Sequence, residues 1–143
     1  MPYRFLDDAP LADVGFVASG DTIENCFRAA ADATLAVMLA NPQALQDRQH
    51  RTLHVENHAP DLALLKLLEE LIYLKDAERL LMRLTHVQAG EHNGRWSVDA
   101  TAEGETIDAS RHRLSGDVKA VTLHRLNVQR INGEWQATVV LDI

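Results

Sequence analysis

Apolar residues recur at three- and four-residue steps in the first third of the chain. The residues that form this apolar face are Ile23, Phe27, Ala30, Ala31, Leu35 and Met38. Just before it, Asp21 and Glu24 have the pattern of a capped helix start, in which Asp21 accepts a backbone N–H and Glu24 reaches back to the cap. Asn41 and Pro42 stop the pattern. These features predict an amphipathic helix of about twenty residues.

A second helix is predicted from Asp61 to Asp76, directly after Pro60, because proline favours the first turn of a helix. Its apolar stripe consists of Leu62, Leu65, Leu68, Leu71 and Ile72. The opposite face carries the charged side chains of Lys66, Glu69 and Glu70.

Alternating apolar and polar residues predict strands in most of the remaining chain. Asn93-Gly94 and Asn132-Gly133 are dipeptides that favour two-residue hairpin turns, and residues 7–10 predict a turn near the start. The predicted strands cover residues 3–6, 14–18, 49–56, 82–88, 95–101, 118–131 and 135–143. Two helices among six or seven strands, without strict alternation, predict a single α+β domain over residues 1–143, with the helices packed on antiparallel sheet.

Composition and charge exclude several classes of protein. Hydrophobic residues make up 46% of the 143 residues and charged residues 24%, as in an ordinary globular protein. The net charge of −7 opposes binding to a phosphate backbone, so we expect no stable nucleic-acid binding by the chain alone. An acidic surface suits docking on a basic partner, such as an RNA-handling enzyme. No apolar run approaches the roughly 20 residues that span a bilayer, and one cysteine without a leader segment predicts the cytoplasm.

Motifs that carry catalytic chemistry are missing from the sequence. It contains no phosphate-binding loop, glycine-rich dinucleotide turn, paired-cysteine metal motif or nucleophile elbow, which argues against an enzyme. The seven histidines mostly lie in polar or loop contexts without helical ligand spacing. His50 and His54 share a face of a predicted strand but stand well apart. Cys26 lies beside the apolar face of the first predicted helix, where packing explains it best.

The end of the chain has an unusual charge pattern. A strongly apolar strand, Val139 to Ile143, ends with the Asp142 carboxylate next to the terminal carboxylate. Strand alternation directs Asp142 away from the face of Leu141 and Ile143. An exposed carboxylate at a sheet edge is one interpretation. If Asp13 lies beside Asp142, the clustered oxygens favour a hard cation such as calcium or magnesium.

Several segments in order give the chain a family resemblance. They are Ala12-Asp13-Val14-Gly15, Gly20-Asp21-Thr22-Ile23-Glu24 with Phe27, Glu70-Leu-Ile-Tyr-Leu, Gly104-Glu105-Thr-Ile-Asp108-Ala-Ser-Arg111-His112, Asp117-Val-Lys119-Ala-Val-Thr-Leu-His124, and Trp135 through Asp142-Ile143. Over nearly its whole length the sequence resembles the archease family. The resemblance implies an SHS2-like α+β fold and a cytosolic, non-enzymatic accessory protein.

The resemblance also implies a partner and a metal site. Archeases activate the tRNA-splicing RNA ligase, which joins 3′-phosphate or cyclic-phosphate RNA ends to 5′-hydroxyl ends, by promoting its guanylylation by GTP and its repeated turnover. They bind a metal, expected to be calcium, through residues that here are Asp13, Asp142 and Ile143. Extension of the chain past Ile143 is expected to damage this site. Asp108, His112 and Lys119 also match polar family positions, and are expected to contact the ligase or the outer shell of the ion.

The match departs from the family pattern at several positions. Pro10-Leu11 replaces the usual His-Thr before Ala12, and Leu67, Lys66 and Leu123 replace a tryptophan, an acidic residue and a tyrosine. These differences indicate a divergent ligase partner, and RNA repair is an alternative setting to tRNA splicing.

Two other functions are compatible with the sequence. A small metal-dependent phosphoester hydrolase would use Asp13 and Asp142 to hold a catalytic ion, with His112 or Lys119 as proton shuttle. A chaperone-like interaction module would instead offer its helices as a docking face.

Overall fold

The computed structural model describes residues 2–8 and 13–143, which form two helices and eight strands in two antiparallel sheets. The helices are α1 (Ile23–Met38) and α2 (Pro60–Glu78), with a short 3-10 turn at Pro42–Ala44. The strands are β1 (Tyr3–Phe5), β2 (Asp13–Gly20), β3 (Gln49–Asn57), β4 (Leu80–His92), β5 (Arg95–Thr106), β6 (Ala120–Val121), β7 (Asn127–Ile131) and β8 (Glu134–Asp142). The expected α+β class, with two helices on antiparallel sheet, is confirmed. The predicted turn at residues 7–10 lies partly outside the described residues.

The larger sheet is built around the last strand. Its order is β1-β2-β8-β6, and β7 also pairs with β8. β2 and β8 pair over eight residues, from Gly20 opposite Trp135 to Asp13 opposite Asp142. The single strand predicted over residues 118–131 is wrong, because the chain turns at Arg125, whose φ of 58° lies in the left-handed region. β6 and β7 therefore pair separately with β8.

The smaller sheet has the order β3-β5-β4 and contains one long hairpin. Asn93 and Gly94 join β4 to β5 with φ values of 52° and 74°. Asn132 and Gly133 join β7 to β8 in the same way, with φ values of 53° and 79°. Positive φ at both central residues is the geometry that an Asn-Gly hairpin turn requires, so both predicted hairpins are confirmed.

Each helix contacts strands of both sheets. α1 packs on β2 and β8 of the larger sheet and on β4 of the smaller one. Its small residues permit this close approach from more than one side, and those that are almost fully buried are Ala29, Ala30, Ala31 and Ala33. α2 packs on the three strands of the smaller sheet and also touches β6 and β7. Its buried face is therefore wider than the predicted stripe, and it includes Leu64, Leu67 and Leu74.

The start of α1 differs from the predicted capping box. Thr22 is the N-cap, and its hydroxyl accepts a hydrogen bond from the Asn25 backbone N–H at 3.1 Å. Asp21 instead accepts from the Asn25 side chain at 2.8 Å. Glu24 accepts from the backbone N–H of Ala89 on β4 at 3.3 Å, so it ties the helix start to the smaller sheet. The helix spans 16 residues, somewhat fewer than predicted.

Neither α1 nor α2, the helices of the described part of the chain, combines the length and apolar character that crossing a membrane requires.

Gly104 provides a test of how closely the strands of the smaller sheet approach each other. A Cβ atom at Gly104 would stand 1.9 Å from the carbonyl oxygen of Leu81, so β4 and β5 would have to separate. We expect Gly104→Ala to lower the free energy of unfolding by about 3 kcal/mol in denaturant titration. Gly90→Ala on the same sheet is the control, because a Cβ there meets nothing within 4 Å. Equal stabilities of the two variants would contradict this packing.

Candidate functional site

Asp13 and Asp142 lie side by side at one end of the paired strands β2 and β8. Asp13 is the first residue of β2, Asp142 is the last residue of β8, and they are directly opposite each other. Opposite residues of an antiparallel pair project from the same face, with Cβ atoms about 5 Å apart. The fold therefore places both carboxylates, each on a half-buried residue, at one corner of the sheet.

Packing on both faces of β8 fixes this corner. Val139 and Leu141 are fully buried in the core, and the side chain of Ile143 packs partly against it. On the other face Val140 is also fully buried, and Leu6 folds over Gly15 beside it, held by a 2.8 Å hydrogen bond between the Leu6 N–H and the Gly15 carbonyl. Both faces of the strand are covered up to the residue that precedes Asp142.

The segment that leads into β6 holds the other side of β8. The backbone N–H of Lys119 donates to the carbonyl oxygen of Asp142 at 2.8 Å, and Ala120 lies directly opposite Asp142. Both the N–H and the hydroxyl of Thr122 donate to the Val140 carbonyl at 3.0 Å. The structure thus brings Lys119 to Asp142 through its main chain, while the Lys119 side chain is exposed.

The donor chemistry of the corner fits a hard cation. Across residues 2–8 and 13–143, neither Asp13 nor Asp142 forms an ion pair with a basic side chain. Like charges directly opposite in a sheet destabilise it, and a bound cation would relieve that repulsion. No three His, Cys, Asp or Glu side chains of the described chain form a metal-binding group. Main-chain oxygens such as those of Ile143, and water, would have to complete the shell of an ion such as calcium.

Asp108 and His112 belong to a different cluster, which lies in the loop after β5. The His112 side chain is fully buried, its Nδ1 accepts from the Asp108 backbone N–H at 2.9 Å, and its Nε2 lies 3.1 Å from Glu105. Because Nδ1 is an acceptor, Nε2 carries the hydrogen and donates a hydrogen bond to the Glu105 carboxylate. Asp108 accepts from Ser110 and Arg111. His112 has no exposed surface to offer a partner, and no hydrogen bond of the described residues joins this cluster to Asp142.

Sequence reasoning missed Glu105 as the centre of this second cluster. Glu105 is only 3% exposed, yet it accepts from the Gln46 backbone N–H at 2.7 Å, from Arg111 and from His112. Burial alone would raise the pKa of Glu105, but the hydrogen bonds from these three donors outweigh it and lower the pKa to about 2. The sequence does contain a local signal for this cluster, because the basic residues Arg111 and His112 follow the acidic strand residue Glu105 after a short turn.

Comparison with known proteins gives a consistent family. The model of the Archease protein family (MTH1598/TM1083) matches residues 3–143. The chain is 33% identical to Protein archease of Pyrococcus furiosus over 133 residues, which cover 92% of this chain and 93% of that protein. It is 31% identical to Protein archease of Methanosarcina mazei over 144 residues, covering 99% and 95% of the two chains.

Two solved structures share the fold. The solution structure of protein 1598 of Methanobacterium thermoautotrophicum superposes with a TM-score of 0.85 at 29% identity, covering 99% of each chain. The crystal structure of a Thermotoga maritima protein described as an archease and possible chaperone has a TM-score of 0.60, covering 98% of this chain and 100% of its own. Since that match is only 14% identical, it supports the fold alone.

The Glu105 cluster predicts a specific dependence of stability on pH. The pKa of Glu105 is about 2 in the folded protein and about 4.5 for an ordinary glutamate, so its stabilising effect is complete above about pH 4.5 and is lost as pH falls toward 2. We expect Glu105→Gln to lower the free energy of unfolding by about 2 kcal/mol at pH 7, with a smaller difference at pH 3. Denaturant titrations at both pH values measure it. Glu91→Gln, at an exposed hairpin position, is the control, and an undiminished difference at pH 3 would argue against the network.

Proposed function

This chain belongs to the archease family, and from that membership and the geometry of the Asp13–Asp142 corner we propose that it activates an RNA ligase and catalyses no reaction itself. The ligase would be of the tRNA-splicing type, which joins 3′-phosphate or cyclic-phosphate ends to 5′-hydroxyl ends. The observation that carries the proposal is the pair of directly opposed carboxylates at the joined ends of β2 and β8. Activation would consist of promoting guanylylation of the ligase by GTP and its repeated turnover, in the cytoplasm.

A cation held at this corner gives the proposal a chemical basis. Asp13 and Asp142 would supply carboxylate oxygens, and Ile143 a main-chain oxygen, to a divalent ion such as calcium. Such an ion would supply positive charge that attracts the phosphate oxygens of nucleotides and RNA ends. The three residues that would hold the ion are each half-buried, so part of the corner stays open to a partner. The net charge of −7 favours a partner with a basic surface.

The arrangement of residues argues against the hydrolase alternative. His112 was the candidate proton shuttle, but its side chain is fully buried and both ring nitrogens are engaged within the Glu105 cluster. Lys119 contacts Asp142 through its backbone N–H, and its side chain is free to face solvent or a partner. A general acid or base must stand within hydrogen-bond reach of the reacting group. His112 is therefore not placed for that role at the carboxylate pair.

The chaperone alternative has weaker support from the surface. A general chaperone needs a sizeable exposed apolar patch. Only four large apolar side chains are exposed in the described part of the chain, namely Phe5, Tyr73, Leu114 and Leu123. The ligase activator is therefore the function that we favour.

Cation binding can be measured directly on the isolated protein. We expect calcium binding in isothermal titration calorimetry, and at least tenfold weaker binding by Asp13→Asn and Asp142→Asn, because each removes one carboxylate ligand. Glu134→Gln is the matched control, since it removes an exposed carboxylate from the opposite end of the same strand. Titration with magnesium and manganese would rank the ions. Equal affinities of wild type and both variants would place the ion elsewhere.

The activator function requires the partner ligase. With ligase substoichiometric to RNA, we expect wild-type protein to stimulate guanylylation by GTP and to support multiple turnovers. Asp142→Asn should lose most of this stimulation, and Glu134→Gln should retain it. Absence of stimulation by folded wild-type protein would overturn the proposed function, and phosphoester hydrolysis by the protein alone would restore the hydrolase.

A further inference from the structure

Lys75 is a buried lysine that neither the core nor the carboxylate corner explains. It lies in the last turns of α2 and is only 8% exposed. Its ammonium donates to the Asp117 carboxylate and to the main-chain carbonyl of Val118 at 2.8 Å, and it also pairs with Asp76 at 3.0 Å. Burial acts to lower the pKa of Lys75, but the hydrogen bonds to Asp117 and Asp76 outweigh it and raise the pKa, so the group is charged. A buried charge is costly unless such partners are present.

Two of the three partners of Lys75, Asp117 and Val118, stand directly before Lys119, whose backbone N–H bonds Asp142. Val118 is fully buried, and Lys119 follows it with the 2.8 Å hydrogen bond to the Asp142 carbonyl. Ala120, opposite Asp142, then begins β6, which is only two residues long. So short a strand forms few ladder hydrogen bonds, and it depends on flanking contacts to keep its register. Lys75 supplies such contacts from the adjacent helix.

From this chain of contacts we infer that Lys75 is a positioning residue, which holds residues 117–121 against β8 and thereby fixes Asp142 relative to Asp13. This inference rests on the proposed function for the purpose of the corner, but the positioning itself can be tested without a ligase. β2 holds one side of the last residues of β8, and the segment from Asp117 to Val121 holds the other. Loss of the Lys75 contacts would first release the segment from Asp117 to Val121 from β8. The long β2–β8 ladder would remain.

Lys75→Met tests the inference. Methionine keeps the length and apolar stem of lysine but cannot donate to Val118 or Asp117. Lys75 borders a cleft of about 430 Å³ lined in part by Met38, Leu81 and Leu114, so the new side chain has room. Lys66→Met is the matched control, because Lys66 lies on the exposed face of the same helix and also forms an ion pair, with Glu69 at 3.6 Å.

The first measurement is hydrogen exchange of individual backbone amides by NMR. We expect Lys75→Met to lower the protection of the Lys119 and Thr122 amides at least tenfold, with unchanged protection in β2 and α1. Lys75→Arg should restore much of it, since a guanidinium can donate to both a carbonyl and a carboxylate. Unchanged protection of Lys119 in Lys75→Met, or an equal loss across the whole molecule, would overturn the positioning role.

The second measurement is calcium affinity of the same variants by calorimetry. Substitution of residues that support metal ligands typically weakens metal affinity 10- to 100-fold. Lys75→Met should therefore bind calcium at least tenfold more weakly, and Lys66→Met should match the wild-type affinity. Local loss of amide protection with wild-type calcium affinity would overturn the link between Lys75 and the corner. If wild-type protein binds no calcium, the proposed metal site fails, and the exchange experiment still decides whether Lys75 positions Asp142.

Discussion

The antiparallel pairing of β2 with β8 is the constraint on which the rest of the site depends. A shift of one residue in this register would turn every side chain of β8 to the opposite face. Such a shift is strongly opposed, because Val139 and Leu141 fill the core on one face while Val140 is buried beside Leu6 and Gly15 on the other. The opposition of Asp13 and Asp142 thus follows from apolar packing elsewhere in the strands. The free energy of that packing holds two like charges together.

Glu105 and the Asp13–Asp142 pair differ in whether the chain itself compensates their negative charge. Glu105 is buried, and its oxygens accept from Gln46, Arg111 and His112 within the chain. Its negative charge is compensated internally, as expected of a group that stabilises a loop. The Asp13–Asp142 pair is half-buried and forms no ion pair with a basic side chain among the described residues. A carboxylate pair that the fold forces together and does not compensate is the more reasonable place to seek an external cation or a partner.

Local signals in the sequence predict the helices and hairpins, and tertiary contacts account for the errors. Asn-Gly turns and helix periodicity depend on a few neighbouring residues, so they can be recognised from the sequence alone. The wider buried face of α2 arises because the helix meets both sheets, and the break between β6 and β7 arises at a left-handed Arg125 that no common turn pattern marks. The contact of Glu105 with Gln46, and those of Lys75 with Asp117 and Val118, join positions that are distant along the chain. The opposition of Asp13 and Asp142 was expected from family resemblance, since spacing alone cannot fix a sheet register.

The structure also separates the departures from the family pattern into two kinds. Leu67, in place of the usual tryptophan, is fully buried in α2, so that change concerns core packing. Lys66 and Leu123, by contrast, are exposed, and Leu123 exposes 68% of its surface. Lys66 also pairs with Glu69, which removes negative charge from the outer face of α2. The changes at Lys66 and Leu123 therefore alter exposed surface on α2 and on the loop after β6, while the Pro10-Leu11 change lies outside the described residues.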